Sequence, residues 1–561
     1  MTAVRRFLSI LTLTLAATVA FAQQPAEGKR VTEPVTAETD RDVESSRALR
    51  LSLDEAVRTS MERNLGVSLQ RYDYLMSGQS LRSQYGIYDW FATGDLQRRS
   101  TTQPTSNRLQ AASDRRTILD LGVSQTIPTG GNYSFEFNNL REASPSFGQL
   151  INPSYTSSLG FAFTQPLMRN FGVDITNRNI DIARNTLGIN HELFRSLLMN
   201  TAVSVEQAYL DLVYARRNVD VVKESLFLAR DQSRITQIRI DVGASAPLDI
   251  LQPRVQIATT EELLIAAVAS VRDAEDRLRA LLNLPQEDWD RPIIPTDNVG
   301  YTPMTINMDS AVAQALTLRP EVRENQLSTE STRIQYVYAR NQTLPRVDGT
   351  LSYGAAGLAG TALATDPISG QPTNLRSTAY PRALRQIISG DFPSWTVGVS
   401  VGVPLLNIGA RAEAKRAELD YQQAKTFESQ TRQNITVDVR KAVRDIDTAS
   451  KEITASRAAR DAAEQNLDAE RKRYENGMTT NFNVLQIQQQ LSDSRVRELQ
   501  ALVGYNKAVA NYHRAVGDLL DVRNIKVEDD TPQEPRIFGR TFDRYSWLNY
   551  SNRIEPEEAK K

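Results

Sequence analysis

The feature that most constrains this chain is an internal repeat built around two very long helical segments. The segments from about 173 to 241 and from about 409 to 475 contain no proline. Each is followed by a short turn and a second helix, at about 247–283 and about 482–517. At 1.5 Å per residue, a helix of ~70 residues would extend about 100 Å, more than a globular domain can bury. These helices must therefore pack in a coiled-coil-like assembly.

The helical parts of the two halves are related by an offset of 234 positions. Gly243 is matched by Gly477, and Leu251 is matched by Leu485. Each half has the same order of parts: a helical stretch, strands, the long helix and a helical hairpin. The predicted parts are a first repeat over 51–290 with strands at about 89–165, a proline-rich linker over 291–305, and a second repeat over 306–520 with strands at about 347–403.

The two ends of the chain are predicted to lie outside the repeats. Two arginines precede an apolar run that closes with Ala20-Phe21-Ala22, which is typical of a cleaved secretory signal peptide over 1–22. An uncleaved membrane anchor is the alternative, but the run is shorter than the ~20 residues of a bilayer span. Residues 23–50 are predicted as a disordered leader, and residues 521–561 as a polar tail.

The strand segments alternate between apolar side chains and small or polar ones. From Trp395 to Val403, large apolar residues occupy one face, while Thr, Gly and Ser occupy the other. This alternation is typical of a transmembrane β-barrel, although half-buried strands of soluble proteins alternate too. An exported chain without a long apolar helix could enter a membrane only as such a barrel. The predicted lipid-facing residues are Leu159, Phe161, Phe163, Leu351, Tyr353, Trp395, Val397, Val399 and Val401.

An additional hairpin is predicted in the first repeat, at about 117–140. The sequence Pro128-Thr-Gly-Gly131 separates two alternating runs, and Gly-Gly between such runs is a strong turn signal. The sequence leaves two placements open. The insert could widen a barrel, or it could stand above the barrel as an extracellular element.

Composition argues against several function classes. The 561 residues include no Cys and only two His, His191 and His513, and the formal net charge is −1. Disulfides, thiolate nucleophiles and Cys-based metal sites are thereby excluded. A near-neutral chain is not expected to bind nucleic acid, and neither His belongs to a metal-binding motif. We therefore expect no enzyme activity, no cofactor, no metal site and no nucleic-acid partner.

In the order of its parts, the chain resembles the TolC-like outer-membrane efflux protein family. The resemblance covers 51–520. It rests on the repeat, on the strand-to-helix junctions Gln165-Pro-Leu-Met168 and Val403-Pro-Leu-Leu406, and on the helix-reversal motifs at 242–251 and 476–485. It implies an α+β membrane protein in the outer membrane of a Gram-negative bacterium.

The resemblance also implies an assembly. It would be a homotrimer in which each protomer gives about four strands, or more with the insert at 117–140, to one transmembrane β-barrel in outer-membrane lipid. That barrel would continue into a long periplasmic α-helical barrel. The tip of the α-helical barrel would dock onto a periplasmic adaptor, the membrane fusion protein of an inner-membrane pump or ABC exporter.

The helix-reversal turns carry the predicted docking surface. Gly243 and Gly477 can end a helix in the left-handed conformation, and Pro247 suits the first turn of the next helix. Such residues reverse the chain whether or not they bind a partner. Because the same turns contact the adaptor in the family, the resemblance implies a docking set. Its members are Gly243, Ala246, Pro247, Leu251, Gly477 and Leu485.

The resemblance also implies a gate at the tip, in an altered form. Relatives often carry Asp at the positions of Asn483 and Gln486, so an acidic ring is not expected here. Asp249 is retained, and so is its family partner Tyr474, whereas Thr479 stands where relatives have Arg. We therefore expect closure through a hydrogen bond between Asp249 and Tyr474 rather than through a salt bridge.

The leading functional hypothesis is a passive exit duct for small molecules, such as drugs or toxic compounds, in a tripartite export system. The inner-membrane pump would supply the energy through the adaptor. A duct for type I protein secretion is the alternative. A structural or adhesive trimeric coiled coil without transport, and a periplasmic adaptor, are alternatives of other classes. Neither of these last two explains the alternating strands.

Overall fold

The structure is a computed structural model that describes residues 48–104, 106, 113–144, 150–365 and 372–527. The predicted signal peptide, most of the predicted leader and most of the predicted tail lie outside these residues. Within the described ranges, no helix is both long and apolar enough to cross a membrane. In the same ranges, no group of three or more His, Asp or Glu side chains is placed to hold a metal ion.

The first repeat contains short helices, one short strand, four long strands and one very long helical hairpin. Its elements are β1 (Leu49–Leu51), α1 (Leu53–Arg63), α2 (Leu65–Gln84), β2 (Phe91–Thr102), β3 (Ser113–Thr126), β4 (Asn132–Ala143), β5 (Ile151–Pro166), α3 (Val173–Thr176), α4 (Arg178–Asp241) and α5 (Leu251–Leu282). The long helix α4 therefore has 64 residues, close to the length that the sequence predicts.

The second repeat follows the same plan after a linker. The linker contains β6 (Ile293–Pro295). The elements of the repeat are α6 (Met308–Leu318), α7 (Pro320–Asn341), β7 (Arg346–Thr365), β8 (Pro372–Ser377), α8 (Pro381–Ser389), β9 (Pro393–Gly402), α9 (Ile408–Glu475) and α10 (Asn481–Val516), followed by the short α11 (Leu519–Val522). Its long helix, α9, has 68 residues.

The first helical stretch of each repeat is two helices, where the sequence predicts one. Asn64 lies between α1 and α2, and its side-chain oxygen accepts hydrogen bonds from the backbone N–H groups of Gly66 and Val67. In the second repeat, Pro320 occupies the first turn of α7, where its missing N–H costs no helical hydrogen bond. Each stretch therefore breaks at a matched position, because a capping residue or a proline starts a new helix there.

Six long strands form one antiparallel sheet in the order β2-β3-β4-β5-β7-β9, and β8 pairs with the far half of β7. The predicted insert forms β3 and β4, which lie between β2 and β5. Of the two expectations, about four strands or more with the insert, the second agrees with the sheet, which has six long strands because the insert joins it. Within the described residues, β2 forms one edge of the sheet, and the opposite edge is formed by β9 along the first half of β7 and by β8 along its second half.

The helices of each repeat pack around matched hydrophobic cores. Val205 and Leu212 of α4 are buried with Leu282 of α5, and their equivalents Val439 and Ile446 are buried in the second repeat. These positions follow the spacings of a coiled-coil seam. The repeat seen in the sequence is therefore also a repeat of packing.

The predicted leader and linker meet beside the first core. β1 pairs in parallel with β6, so residues 49 and 50, assigned to the leader, belong to the folded body. The hydroxyl of Tyr209 donates to the carbonyl oxygen of Leu51 at 3.0 Å. Burial raises the pKa of Tyr209 to about 12, so this donor stays protonated well above neutral pH.

Candidate functional site

The first reversal turn joins α4 to α5. After α4 ends at Asp241, Gly243 adopts a φ of 75°, in the left-handed region that favours glycine. The N–H of Ala244 then donates to the carbonyl oxygen of Arg239 at 2.7 Å. A 3₁₀ turn at Pro247–Ile250 leads into α5. The predicted role of Gly243 in ending the helix is confirmed.

The second reversal turn repeats this geometry. After α9 ends at Glu475, Gly477 adopts a φ of 69°. The N–H of Met478 donates to the carbonyl oxygen of Arg473 at 2.9 Å, and α10 begins at Asn481. The two turns, 234 positions apart, therefore close their helices in the same way.

Most of the predicted docking residues are exposed at these turns. The exposed residues are Gly243, Ala246, Pro247, Leu251 and Gly477. Leu485 differs, because it lies on the buried face of α10 and its exposed fraction is only 7%. Its side chain is not accessible to a partner in the protomer. Four large apolar side chains outside the predicted docking set are exposed beside the turns: Val242, Leu248, Met478 and Phe482.

Asp249 and Tyr474, which were expected to bond to each other, have different partners in the protomer. The carboxylate of Asp249 accepts a hydrogen bond from the N–H of Ala246, at 3.1 Å, within its own turn. The carbonyl oxygen of Tyr474 accepts from Arg239 Nη1 at 2.6 Å. The guanidinium carbon of Arg239 also lies 4.5 Å from the centre of the Tyr474 ring, within cation–π range. Arg239 therefore joins the ends of the two long helices.

The polar residues around the second turn form a chain of hydrogen bonds. Thr479 Oγ1 donates to Glu470 Oε1 at 2.5 Å and accepts from Asn483 Nδ2 at 3.1 Å. The other carboxylate oxygen of Glu470 accepts from Arg473 Nη1 at 3.2 Å. Glu470 is buried, whereas Asn483 and Gln486 are exposed on α10. Thr479, which stands where relatives carry Arg, thus donates a hydrogen bond to the buried carboxylate of Glu470.

Side-chain amides connect the two repeats near the turns. Gln232 Nε2 donates to Asn481 Oδ1 at 2.7 Å, and Thr236 Oγ1 lies 3.4 Å from the same oxygen. These three side chains are buried. Gln256 Nε2 donates to Gln489 Oε1 at 3.1 Å and links α5 to α10. Sequence reasoning missed these residues because each partner lies in the other repeat.

The predicted lipid-facing residues share one face of the sheet. Phe161 on β5 is paired with Tyr353 on β7, which is paired with Trp395 on β9. The same row extends through Phe135 to Val123 on β3. Exposed apolar side chains on this face include Leu121, Leu159, Leu351, Tyr353, Trp395, Val397, Val399 and Val401, and Phe163 pairs with Leu351 in the next row. We call this surface the apolar face.

The opposite surface, which we call the polar face, carries small, polar and acidic side chains. Asp95 on β2 is paired with Asp120 on β3, which is paired with Asn138 on β4. Ser158 continues the row on β5, and Glu136 lies two residues from Asn138. A shallow cavity on this surface is lined by Glu136, Asn138 and Ser158 among others. The sheet therefore separates an apolar side from a polar side.

Comparison with known proteins identifies relatives along most of the chain. A family model described as outer membrane efflux protein matches residues 132–284 and 311–518. The outer membrane efflux protein BepC of Brucella suis biovar 1 (strain 1330) is 22% identical over 359 residues, covering 64% of this chain and 71% of BepC.

Two solved structures show the same fold at low sequence identity. The Campylobacter jejuni CmeC outer membrane channel has a TM-score of 0.58 and 15% identity, covering 83% of this chain and 86% of CmeC. The Neisseria gonorrhoeae MtrE outer membrane channel, solved in its open state, has a TM-score of 0.55 and 15% identity. That likeness covers 86% of this chain and 91% of MtrE.

Proposed function

The chain belongs to the outer membrane efflux protein family, and on this premise we propose that three copies form the outer-membrane duct of a tripartite export system. It is an outer-membrane protein, and members of its family are channels rather than enzymes. An inner-membrane pump supplies the energy, a periplasmic adaptor docks at the reversal turns, and the duct itself is passive. The observation that carries this proposal is the two-faced sheet that leads directly into two long helical hairpins.

The two edges of the sheet support closure between copies. β2 and β9 run in opposite directions, because strand direction alternates across the six long strands. β9 of one copy can therefore pair in antiparallel fashion with β2 of the next. Three copies would close a barrel of about eighteen strands, a size that leaves an aqueous channel. The apolar face would then contact lipid, and the polar face would line the duct.

The helices support the same closure through their repeat symmetry. α7 and α10 both belong to the second repeat. Each packs against the long helix of that repeat, α9, and also against α4, the long helix of the first repeat. Their equivalents in the first repeat, α2 and α5, pack against α4. By symmetry, the second partner of α2 and α5 is α9 of a neighbouring copy. The protomer thus has a complementary surface on each side, as a closed ring requires.

Exposed apolar side chains mark both of these surfaces. On α2 they repeat at spacings of three and four residues, opposite the face that packs on α4, and burying such surface drives association. The exposed residues on α2 are Leu65, Leu69, Tyr72 and Met76; those on α5 are Val255, Leu263 and Ile265; those on α9 are Leu419, Phe427 and Val437.

Cysteine cross-linking between β2 and β9 tests the closure. We combine Ala92→Cys with one cysteine on the apolar face of β9, at Trp395, Val397, Val399 or Val401 in turn. Because the chain has no Cys, only introduced thiols can react. One combination is expected to give covalent dimers and trimers on denaturing gels, since paired residues on one face bring their Cβ atoms within disulfide reach.

Matched controls accompany the cross-linking. Ala92→Cys alone should give no ladder of cross-linked copies. Ala92→Cys with Thr396→Cys should also give none, because these side chains point to opposite faces. A trimer that forms normally but cross-links in none of the four combinations would contradict pairing between β2 and β9.

Transport assays test the duct itself. Purified protein should conduct ions in planar bilayers, whereas a structural or adhesive coiled coil should not. Deleting the gene from its host should increase the retention of fluorescent small molecules several-fold and leave the set of secreted proteins unchanged. The broad sheet favours one second candidate, a duct for polypeptides. For that candidate, deletion should change the set of secreted proteins and leave the retention of small molecules unchanged. Normal retention and secretion after deletion would contradict both.

A further inference from the structure

A set of arginines lies on the apolar-face side of the sheet, near the end farthest from the long helices. Their positions, exposure and lack of counter-charges distinguish them from the other arginines of the strands. We call this set the arginine belt. Its members are Arg98, Arg115 and Arg141 on the strands and Arg382 and Arg385 on α8. We propose that the belt binds the phosphate groups of lipid in the outer leaflet of the outer membrane. This inference rests on the proposed duct, in which the apolar face contacts lipid.

The strands place the belt directly beyond the apolar residues. On β2, Leu96 is followed on the same face by Arg98, which is paired through Thr117 on β3 with Arg141 on β4. Arg115 lies two residues beyond Thr117 on the same face. One or two steps along a face correspond to roughly 7–14 Å. The guanidinium groups therefore lie where the apolar part of a bilayer gives way to headgroups.

The charges of the belt are unbalanced, unlike that of Arg116 on the polar face. Arg116, next to Arg115 but on the polar face, pairs with Glu142 at 2.9 Å and with Asp114 at 3.0 Å. Among the described residues, no carboxylate forms an ion pair with any arginine of the belt. Arg141 instead lies 5.8 Å from the centre of the Tyr155 ring. An uncompensated positive surface is complementary to anionic headgroups.

The helix α8 contributes two of the five arginines. It lies on the same side of the sheet, where buried Ala383 covers Gly357 of β7 so closely that a Cβ on this glycine would be 2.0 Å from the Ala383 carbonyl oxygen. Gln386 Oε1 accepts from the N–H of Leu358 at 2.8 Å and ties the helix to the edge of β7. α8 is therefore held firmly against the sheet.

The outer side of α8 has the composition of an interfacial helix. Arg382 and Arg385 are exposed beside Ile388, which is 87% exposed, and Phe392 is exposed just beyond the helix end. Basic and apolar side chains on one exposed surface are typical of helices that lie in the headgroup region of a membrane. The Arg guanidinium forms two parallel hydrogen bonds to phosphate, which favours phosphorylated lipid over a neutral surface.

The experiment compares two variants in which neighbouring arginines on β2 and β3 are replaced. One variant loses arginines from the apolar-face side, and the other loses arginines from the polar face. The belt variant is Arg98→Gln with Arg115→Gln, and the matched control is Arg99→Gln with Arg116→Gln on the polar face. Each purified protein is titrated with bisphosphorylated lipid A in detergent micelles, and the thermal midpoint of the trimer is measured. The same titration is made with fully dephosphorylated lipid A and with inorganic phosphate.

We expect bisphosphorylated lipid A to raise the thermal midpoint of the wild type and of the control variant. The belt variant should need at least ten-fold more of this lipid for the same rise, since the loss of even one charged hydrogen bond weakens binding by about this factor. Arg382→Gln with Arg385→Gln should weaken the effect similarly. Dephosphorylated lipid A and inorganic phosphate should have little effect.

Three outcomes would contradict the proposal that the arginine belt binds lipid phosphate. They are an equal response of the belt variant and the wild type, an equal response to dephosphorylated lipid A, and an equal response to inorganic phosphate alone. Ion conductance of the same samples in planar bilayers separates this failure from failure of the proposed duct. If the wild type conducts ions but does not respond to phosphorylated lipid, only the proposal that the belt binds lipid phosphate is contradicted. If the wild type does not conduct ions, the proposed duct is contradicted.

Discussion

Val397→Arg is expected to prevent the chain from assembling in the outer membrane, whereas Thr396→Arg is expected to be tolerated. Val397 lies on the apolar face opposite Leu351, and Thr396 lies on the polar face. An arginine on the lipid side near the bilayer midplane costs about 2–4 kcal/mol. Three copies together would lose an amount comparable with the whole stability of a typical domain, roughly 5–15 kcal/mol. The amount of heat-resistant trimer in outer-membrane fractions should fall about ten-fold or more.

The two substitutions form a matched pair. They lie next to each other on the same edge strand, add the same side chain and differ only in the face to which that side chain points. Val397→Leu controls for changes in packing and should assemble like the wild type. Equal assembly of the two arginine variants, or a loss confined to Thr396→Arg, would show that the apolar face does not contact lipid.

The faces of the strands could be predicted from the sequence, but the neighbours of each strand could not. Alternation within one strand is a local property, because successive side chains point to opposite sides. Phe161 and Tyr353, in contrast, are paired across nearly two hundred residues, and no local pattern specifies that register. The insert illustrates the same limit: its Gly-Gly turn predicted a hairpin, but only the pairing of β3 with β2 and of β4 with β5 places it inside the sheet.

At the tip, too, some features could be predicted from the sequence and others could not. Gly243 and Gly477 were predictable because a positive φ after a helix requires a residue without a Cβ. The pairing of Arg239 with Tyr474 was not, because it depends on how two helices of more than sixty residues are rotated about their axes. Relatives suggested Asp249 as the partner of Tyr474, but in this chain the carboxylate caps its own turn. The two arginines of α8 were missed for another reason: α8 is short and lies between two strands.

The link between Arg239 and Tyr474 should hold the tip closed. We expect Arg239→Ala to change single-channel records in planar bilayers from mostly closed to mostly open. Each protomer would lose a cation–π contact, about 1–2 kcal/mol, and a hydrogen bond, about 1 kcal/mol. If the link breaks on opening, three protomers together lose roughly 6–9 kcal/mol from the closed form. About 5.5 kcal/mol is enough to move an equilibrium from 1:99 to 99:1.

Two further variants make this result specific to the link. Arg234→Ala removes an exposed arginine from the same helix, and among the described residues its guanidinium bonds only to Asp231 of α4, at 2.7 Å. Its records should therefore match the wild type. Tyr474→Phe removes only the hydroxyl and keeps the ring and carbonyl oxygen that contact Arg239. Closure through Arg239 should therefore survive Tyr474→Phe, whereas closure through Asp249 and the Tyr474 hydroxyl should not. A channel opened by Tyr474→Phe and by Asp249→Ala, but not by Arg239→Ala, would assign the gate to Asp249 and contradict the mechanism argued from the protomer.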